Sequence, residues 1–294
     1  MTNQQTSVRS SCAPTAAASM LYGSVSAIAL LSTLLLSACG GSIVDDIVDD
    51  VTCAVTNCKQ SDTLSLGDIS PRFTVTQENG QVKVEGRLGY SANVVTVVHP
   101  SGNDHLSASV GNQRRDLADE DGKRTKYSTL LADTSEQPLV TANFVRGSEL
   151  HGSTVTMPKA FAVVAPTGTP VISRSSGKLL VQMSQPFSDK MSLSVDMLCK
   201  RADGSSFDSK GEPLASSPEG GSYRISTVEL DLALNRASVN YNTQSPNSSL
   251  VQTCELSFHW VLRQTGTVAS TLNRHSSIVA ERRAKVAASY DARL

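Results

Sequence analysis

The sequence predicts an all-β protein, with two sandwiches in tandem behind an export signal and a flexible acidic tether. Three observations carry this. From residue 62 onward apolar residues alternate with polar ones at period two, and turn residues punctuate the runs. The 19 glycines, with abundant Ser and Thr, favour short strands over long helices. The segment Ala165-Pro166-Thr167-Gly168-Thr169-Pro170 then divides the pattern, because its prolines and glycine cannot continue a central strand.

The first element is the export signal. No residue from Met20 to Ala38 is charged, Val25 to Leu36 is an apolar run of signal-peptide length, and Arg9 is the one positive charge before it. The run ends in Leu36-Ser37-Ala38-Cys39, which resembles the lipobox of bacterial lipoproteins: an apolar residue, two small residues, then cysteine. A signal peptidase needs small side chains before the cut, and a thiol is needed to carry thioether-linked diacylglycerol. Residues 1–38 are therefore expected to be a lipoprotein signal peptide and Cys39 the lipidation site. An uncleaved membrane span is the alternative, disfavoured by the Ser, Gly and Ala content and the N-terminal position. Translation from Met20 would leave the same signal. Gly40, rather than Asp, follows the cysteine, and the resemblance then implies sorting to the cell outer membrane, facing the periplasm or the cell surface. Acyl chains such as palmitate would hold the protein there, since each buried CH₂ contributes roughly 0.8 kcal/mol.

Residues 39–61 form the tether. Ile43-Val44-Asp45-Asp46 repeats as Ile47-Val48-Asp49-Asp50, which on a helix would put the apolar residues on one face and four Asp on the other. Val, Ile and Asp are mediocre helix formers, so a segment this short is expected to be flexible in water. Its carboxylates are better explained as a solvated face that avoids anionic lipid than as a Ca²⁺ site.

Residues 62–165 are the first expected sandwich. Phe73-Thr74-Val75-Thr76 and Val82-Lys83-Val84-Glu85 flank Asn79-Gly80, a hairpin turn in which both residues tolerate positive φ. Val94 to Val98, the alternation Leu106, Ala108, Val110, then Tyr127 to Leu131, Leu139 to Val145 and Val155 to Met157 supply further strands. That spacing, about seven strands in about 100 residues, is that of an immunoglobulin-like β-sandwich. Residues 166–294 are expected to be the second. At an offset of 97, Gly80 meets Gly177, Val82 meets Leu179, Val84 meets Val181, Tyr90 meets Phe187, Ser91 meets Ser188 and Val98 meets Val195.

The chain resembles a group of proteobacterial lipoproteins with tandem sandwich domains. The likeness rests on the lipobox, on Asp104-His105-Leu106-Ser107-Ala108-Ser109-Val110-Gly111, on Phe161-Ala162-Val163-Val164-Ala165-Pro166, and on Ser277-Ile278-Val279-Ala280-Glu281-Arg282-Arg283. It implies no activity.

Chemistry is sparse. With 26 basic and 27 acidic residues there is no basic field to hold nucleic acid, and 4% aromatic residues make a carbohydrate platform hard to assemble. Gly89-Tyr90-Ser91-Ala92-Asn93 has only the first glycine of a nucleophile elbow. Neither H-E-x-x-H nor a phosphate-cradling G-x-x-x-x-G-K-[ST] loop occurs, including around Gly122-Lys123 and Gly177-Lys178. The acidic run Asp116, Asp119, Glu120, Asp121, Gly122 fails the EF-hand register, which would place Leu117 at the first ligand and Ser128 where the bidentate Glu belongs. A solvated hairpin tip is expected there. His99 and His105 could converge with Asp104 on a metal, but a zinc or copper site usually needs three ligands with an ordered second shell. His99, His105, His151, His259 and His275 are expected to be ordinary histidines, and Trp260, alternating with Cys254, Leu256 and Phe258, a core residue. No cofactor is expected.

With Cys12 removed and Cys39 acylated, four thiols remain in an oxidising compartment. Three pairings are formally possible. Cys199 ends the alternation Met191, Leu193, Val195, Met197, and Cys254 begins Leu256, Phe258, Trp260, Leu262, so both thiols face inward. The expected pairs are Cys199 with Cys254, bridging the two sheets across a core, and Cys53 with Cys58 in the tether. The function expected is non-enzymatic: an envelope protein, held to the membrane through Cys39, that binds or scaffolds another envelope protein or glycan through its loops. The alternatives are an envelope enzyme with a scattered site and an accessory subunit of a secretion or adhesion machine.

Overall fold

The computed structural model describes residues 58–186, 191–240 and 249–294. Its first half carries β1 (Cys58–Gln60), β2 (Ile69–Glu78), β3 (Gln81–Tyr90), β4 (Asn93–His99), β5 (Asp104–Val110), β6 (Gln113–Asp116), β7 (Ala118–Asp119), β8 (Tyr127–Ala132), β9 (Leu139–Arg146) and β10 (Glu149–Thr156). Its second half carries β11 (Val163–Ala165), β12 (Val171–Ile172), β13 (Lys178–Met183), β14 (Met191–Arg201), β15 (Ser206–Leu214), β16 (Ser217–Glu219), β17 (Ser222–Ser226), the helix α1 (Thr227–Asn240), β18 (Val251–Thr265) and β19 (Ser277–Asp291). The fold is all-β with this one α-helix among the described residues.

The β2–β3 hairpin shows how local sequence sets the architecture. Asn79 and Gly80 take φ of 49° and 73°, the two-residue turn whose twist matches that of its strands. Such a turn fixes the register: Glu78 faces Gln81, and Phe73 faces Gly86. Gly86 makes room for that ring, because a Cβ there would lie 3.1 Å from Phe73 Cδ1 and 2.9 Å from Leu106 Cδ1.

Among the described residues, one eleven-stranded sheet runs β1-β4-β3-β2-β19-β18-β14-β15, with β12 beside β19, β8 beside β3 and β7 beside β8. Two four-stranded sheets, β10-β9-β5-β6 and β11-β13-β17-β16, cover its two halves. Phe73, Val75 and Val84 of the large sheet pack on Leu106, Val140 and Phe144 to make a first core. Val195, Phe258 and Trp260 pack with Val181 and Ile225 to make a second. Each such side chain, fully buried, contributes about 1.5–3 kcal/mol.

Period two does not anticipate α1. Ser226 Oγ accepts the Glu229 N–H at 3.3 Å, an N-terminal cap written in the sequence as Ser-x-x-Glu. Leu230 and Leu234, four apart, enter the second core, and Arg201 at the end of β14 donates to Ser238 Oγ (2.8 Å) and Ser238 O (3.0 Å) near the last turn.

The two cores do not divide at residues 165 and 166. β18 and β19 pair over a long antiparallel ladder, from Thr253 with Asp291 to Thr265 with Val279, and β19 serves both cores with one face. Ile278 and Ala280 complete the first core, while Val286, Ala288 and Tyr290 belong to the second. Ser277 to Glu281 also pair in parallel with Arg72 to Thr76 of β2. The physical reason is length: at about 3.3 Å per residue a 15-residue strand spans about 50 Å, more than one sandwich needs. Arg282 lies on β19 between its two core-facing stretches and donates to Pro158 O (3.1 Å), Gln77 O (3.2 Å), Gln77 Oε1 (2.6 Å) and Glu136 O (2.7 Å).

The tether ends earlier than expected. Residues 58–60 form β1, Cys58 to Gln60 pairing in parallel with Val97 to His99, and Ser61 is fully buried. Arg146 pins the chain just beyond β1, donating to Ser61 O (2.7 Å) and Leu64 O (2.9 Å) while pairing with Asp104 at 2.8 Å. The 97-residue offset holds only locally. Gly80 and Gly177 share positive φ, and Val82 and Leu179 both start a core-facing row, yet β3 is central to the large sheet while β13 lies in a small one. Phe187 and Ser188 lie outside the described residues.

Candidate functional site: a groove with two opposed arginines

The register of the β2–β3 hairpin places Arg72 directly opposite Arg87, on the face turned away from the first core. Across β2, Ser277 of β19 faces Arg72, and Thr74 lies beside Val279 on the same surface. These residues line an open groove of about 710 Å³, walled also by Val97 of β4 and by Asp121, Thr125 and Lys126.

The latter wall is the loop between β7 and β8, folded onto the outer face by four alternating charges. Lys83 pairs with Glu85 (2.7 Å) and Glu120 (2.8 Å), and Lys126 pairs with Glu85 (2.9 Å) and Glu120 (3.1 Å). Hydrogen bonds donated to Glu120 and Glu85 raise the Lys83 ammonium, those donated to Glu85 and Glu120 raise Lys126, and the same two lysines lower Glu120. Asp121 is turned into its own loop, accepting the Thr125 hydroxyl and the Lys123 N–H (2.9 Å), which hold its carboxyl well below the ordinary range. The guanidiniums of Arg72 and Arg87, by contrast, make neither an ion pair nor a hydrogen bond among the described residues.

The residues singled out in the sequence fall elsewhere. Cys39 and Cys53 lie outside the described residues, as does the partner of Cys58, which is disulfide-bonded. Cys199 and Cys254 do form a disulfide, with Cα atoms 4.1 Å apart, but it does not cross the core. The two face each other on neighbouring strands β14 and β18, so the bridge lies within one sheet. Inward orientation alone allowed both arrangements.

His99 is buried in β4, its imidazole lowered by desolvation, and His105 is half-buried on β5 with Nε2 3.6 Å from Asp116, while Asp104 is taken by Arg146. The three do not share a centre, and no group of three potential metal ligands occurs among the described residues. His151 meets Thr271 Oγ1 at 2.9 Å, His259 meets Asp196 at 3.1 Å, and His275 is exposed. Ser91 sits in the β3–β4 turn, donating its N–H to Asp68 O. Trp260 is fully buried, its ring 4.7 Å from that of Tyr223. No helix among the described residues is long and apolar enough to cross a membrane.

The arginine pair was missed although a signal existed. Once Asn79-Gly80 is a two-residue turn, residues pair outward from it along the hairpin, and Arg72 must meet Arg87.

No family model matches the chain, and no curated protein matches it. Among solved structures it is similar to a chimeric titin Z1Z2-Z1Z2 tandem, at 13% identity and a TM-score of 0.19, covering 76% of this chain and 98% of that one. It is also similar to CBD12 from CALX1.2, at 10% identity and a TM-score of 0.20, covering 74% and 100%. Likeness at that level carries no argument about function.

Proposed function

We propose that the chain is a non-enzymatic, lipid-anchored protein of the bacterial cell envelope that binds or scaffolds another envelope component. The groove is its contact surface. What supports this reading is the length of chain between the proposed anchor and the groove. Val97, one of its walls, pairs with Cys58, the first residue of β1, and Cys58 lies 19 residues after Cys39. A chain of that length reaches at most about 65 Å. Acylation at Cys39 would therefore keep the groove within about that distance of the outer membrane, where a partner in the same envelope can meet it. Gly40 after the cysteine favours the outer membrane as the destination.

Metabolic labelling with a clickable fatty acid tests the anchor: the native chain should be marked and Cys39→Ser should not. Affinity capture from intact cells tests the contact. A stoichiometric protein or glycan recovered with the native chain and lost with Thr74→Trp, which fills the groove, is the expected result. Hydrolytic turnover by the purified protein, abolished by one substitution, would overturn the non-enzymatic reading.

A further inference from the structure

We propose that Arg72 and Arg87 form a binding site for a phosphate group. The inference deepens the reading above, because it names the chemistry that the groove recognises. Like charges directly opposite each other on antiparallel strands repel, and a sheet normally avoids them or places a carboxylate between. Here the same surface has carboxylates at Glu85 and Glu120, and both are committed to Lys83 and Lys126. Asp121, the acidic residue in the groove lining, turns its oxygens to Thr125 and the Lys123 N–H. Each of these neighbouring anions is thus occupied, and the two guanidiniums are left facing one open volume.

A guanidinium offers paired N–H donors in a planar fork that matches an oxyanion, and two forks opposed across one strand pair can hold three or four oxygens of one group. The charge agrees. A phosphate monoester carries about −1.5 to −2 at neutral pH, which two arginines balance and one does not. Thr74 and Ser277 add hydroxyls beside the pair, able to donate to the same oxygens. The phosphate could belong to a lipid headgroup or to a soluble molecule, since the recognition chemistry is shared.

The test uses the full chain carrying Cys39→Ser, so that phosphate recognition is read apart from acylation. Failure of the fatty-acid labelling would leave this result standing, and the reverse also holds. Thermal unfolding is measured in inorganic phosphate and in chloride at equal ionic strength. The native pair should show a melting temperature that rises with phosphate and saturates at millimolar concentration. Arg72→Gln and Arg87→Gln should each abolish that rise and should melt higher than the parent in chloride, because the repulsion is gone. Lys59→Gln, outside the groove, should keep the parent's response. Sedimentation with vesicles of phosphatidylcholine alone or with phosphatidic acid then separates the sources. Arginine-dependent binding to the acidic vesicles supports a lipid headgroup, and a response to inorganic phosphate alone supports a soluble ligand. An equal phosphate response in the parent and both glutamine variants, or no response in any of them, would overturn the proposal.

Discussion

Every apolar side chain of the second core comes from residues 161–290, whereas the first core, begun by residues 64–157, is finished by Val268, Ala269, Leu272, Ile278 and Ala280. The second core also contains the disulfide, both of its strands, and the helix that covers it. The first has one four-stranded sheet of its own and part of the shared eleven-stranded sheet, and still borrows its last wall from β19 and the segment before it. Dependence between the cores is therefore one-way. The second holds all its parts, while the first waits for β19, which is synthesised well after the other strands of that core.

Removing the disulfide should have the largest effect and reach both cores. Closing a loop of 55 residues stabilises by about 4 kcal/mol in the loop-entropy model. With Cys199→Ala and Cys254→Ala together, hydrogen exchange should quicken in β14 and β18 and also in β2, because β19 carries the loss to the first core. Unchanged protection in β2 would mean that the first core stands alone.

Gly266→Ala attacks the other side of the comparison. A Cβ at Gly266 would overlap the Thr154 carbonyl oxygen and lie 2.7 Å from Val155 Cβ and 2.8 Å from Ile278 Cγ2, all at the rim of the first core. The bridge in which Thr154 and Thr267 exchange N–H bonds at 2.8 Å must then open. A cost of about 3 kcal/mol is expected, as for overpacking. Exchange should quicken in β9 and β10 and stay slow in β14; equal quickening in both would show a single cooperative unit instead.

Arg282→Met loosens the junction. Four oxygen contacts disappear, for an expected loss of about 2 kcal/mol. Trp260 is the lone tryptophan and sits in the second core, so its fluorescence follows that core while circular dichroism follows both. In urea the dichroism midpoint should fall below the fluorescence midpoint in this variant, and coincident midpoints would contradict the one-way account.

Acid should give the smallest effect and act on the first core first. Desolvation depresses the His99 imidazole below 6.5, so its contribution is present above that pH and is lost as the pH falls through the lowered folded value. For Glu281, burial raises the carboxyl, yet hydrogen bonds from Arg263 (2.8 Å) and Arg283 (2.6 Å) outweigh it and the net shift is downward. Its contribution is present above about 4.5 and is lost as the pH falls through the lower folded value. A pH series of melting curves should therefore soften below 6.5 with His99 intact and not with His99→Phe, and Glu281→Gln should remove only the later loss.

The strands were legible because alternation at period two is local. Phe73, Val75, Val82 and Val84 announced β2 and β3, and Asn79-Gly80 announced their turn. The pairing of Cys199 with Cys254 was legible from two inward-facing rows, but its place within one sheet was not, because inward orientation does not say which strands are neighbours. The helix was hidden by Val and Thr, which read as strand formers, although Ser226 and Glu229 marked its cap. The shared hairpin was least legible, since no local pattern tells Ile278 and Ala280 to pack on strands far earlier in the chain. In the groove, the residue types were visible and the committed carboxylates that leave Arg72 and Arg87 unpaired were not.

The one-way dependence is tested most directly by making the halves separately. Residues 161–294 should melt cooperatively alone, with Trp260 fluorescence reporting a native environment, while residues 58–160 should show no cooperative transition until the hairpin residues 265–281 are supplied in the same chain. A cooperative melt of residues 58–160 by themselves, at a midpoint near that of the whole protein, would contradict the account.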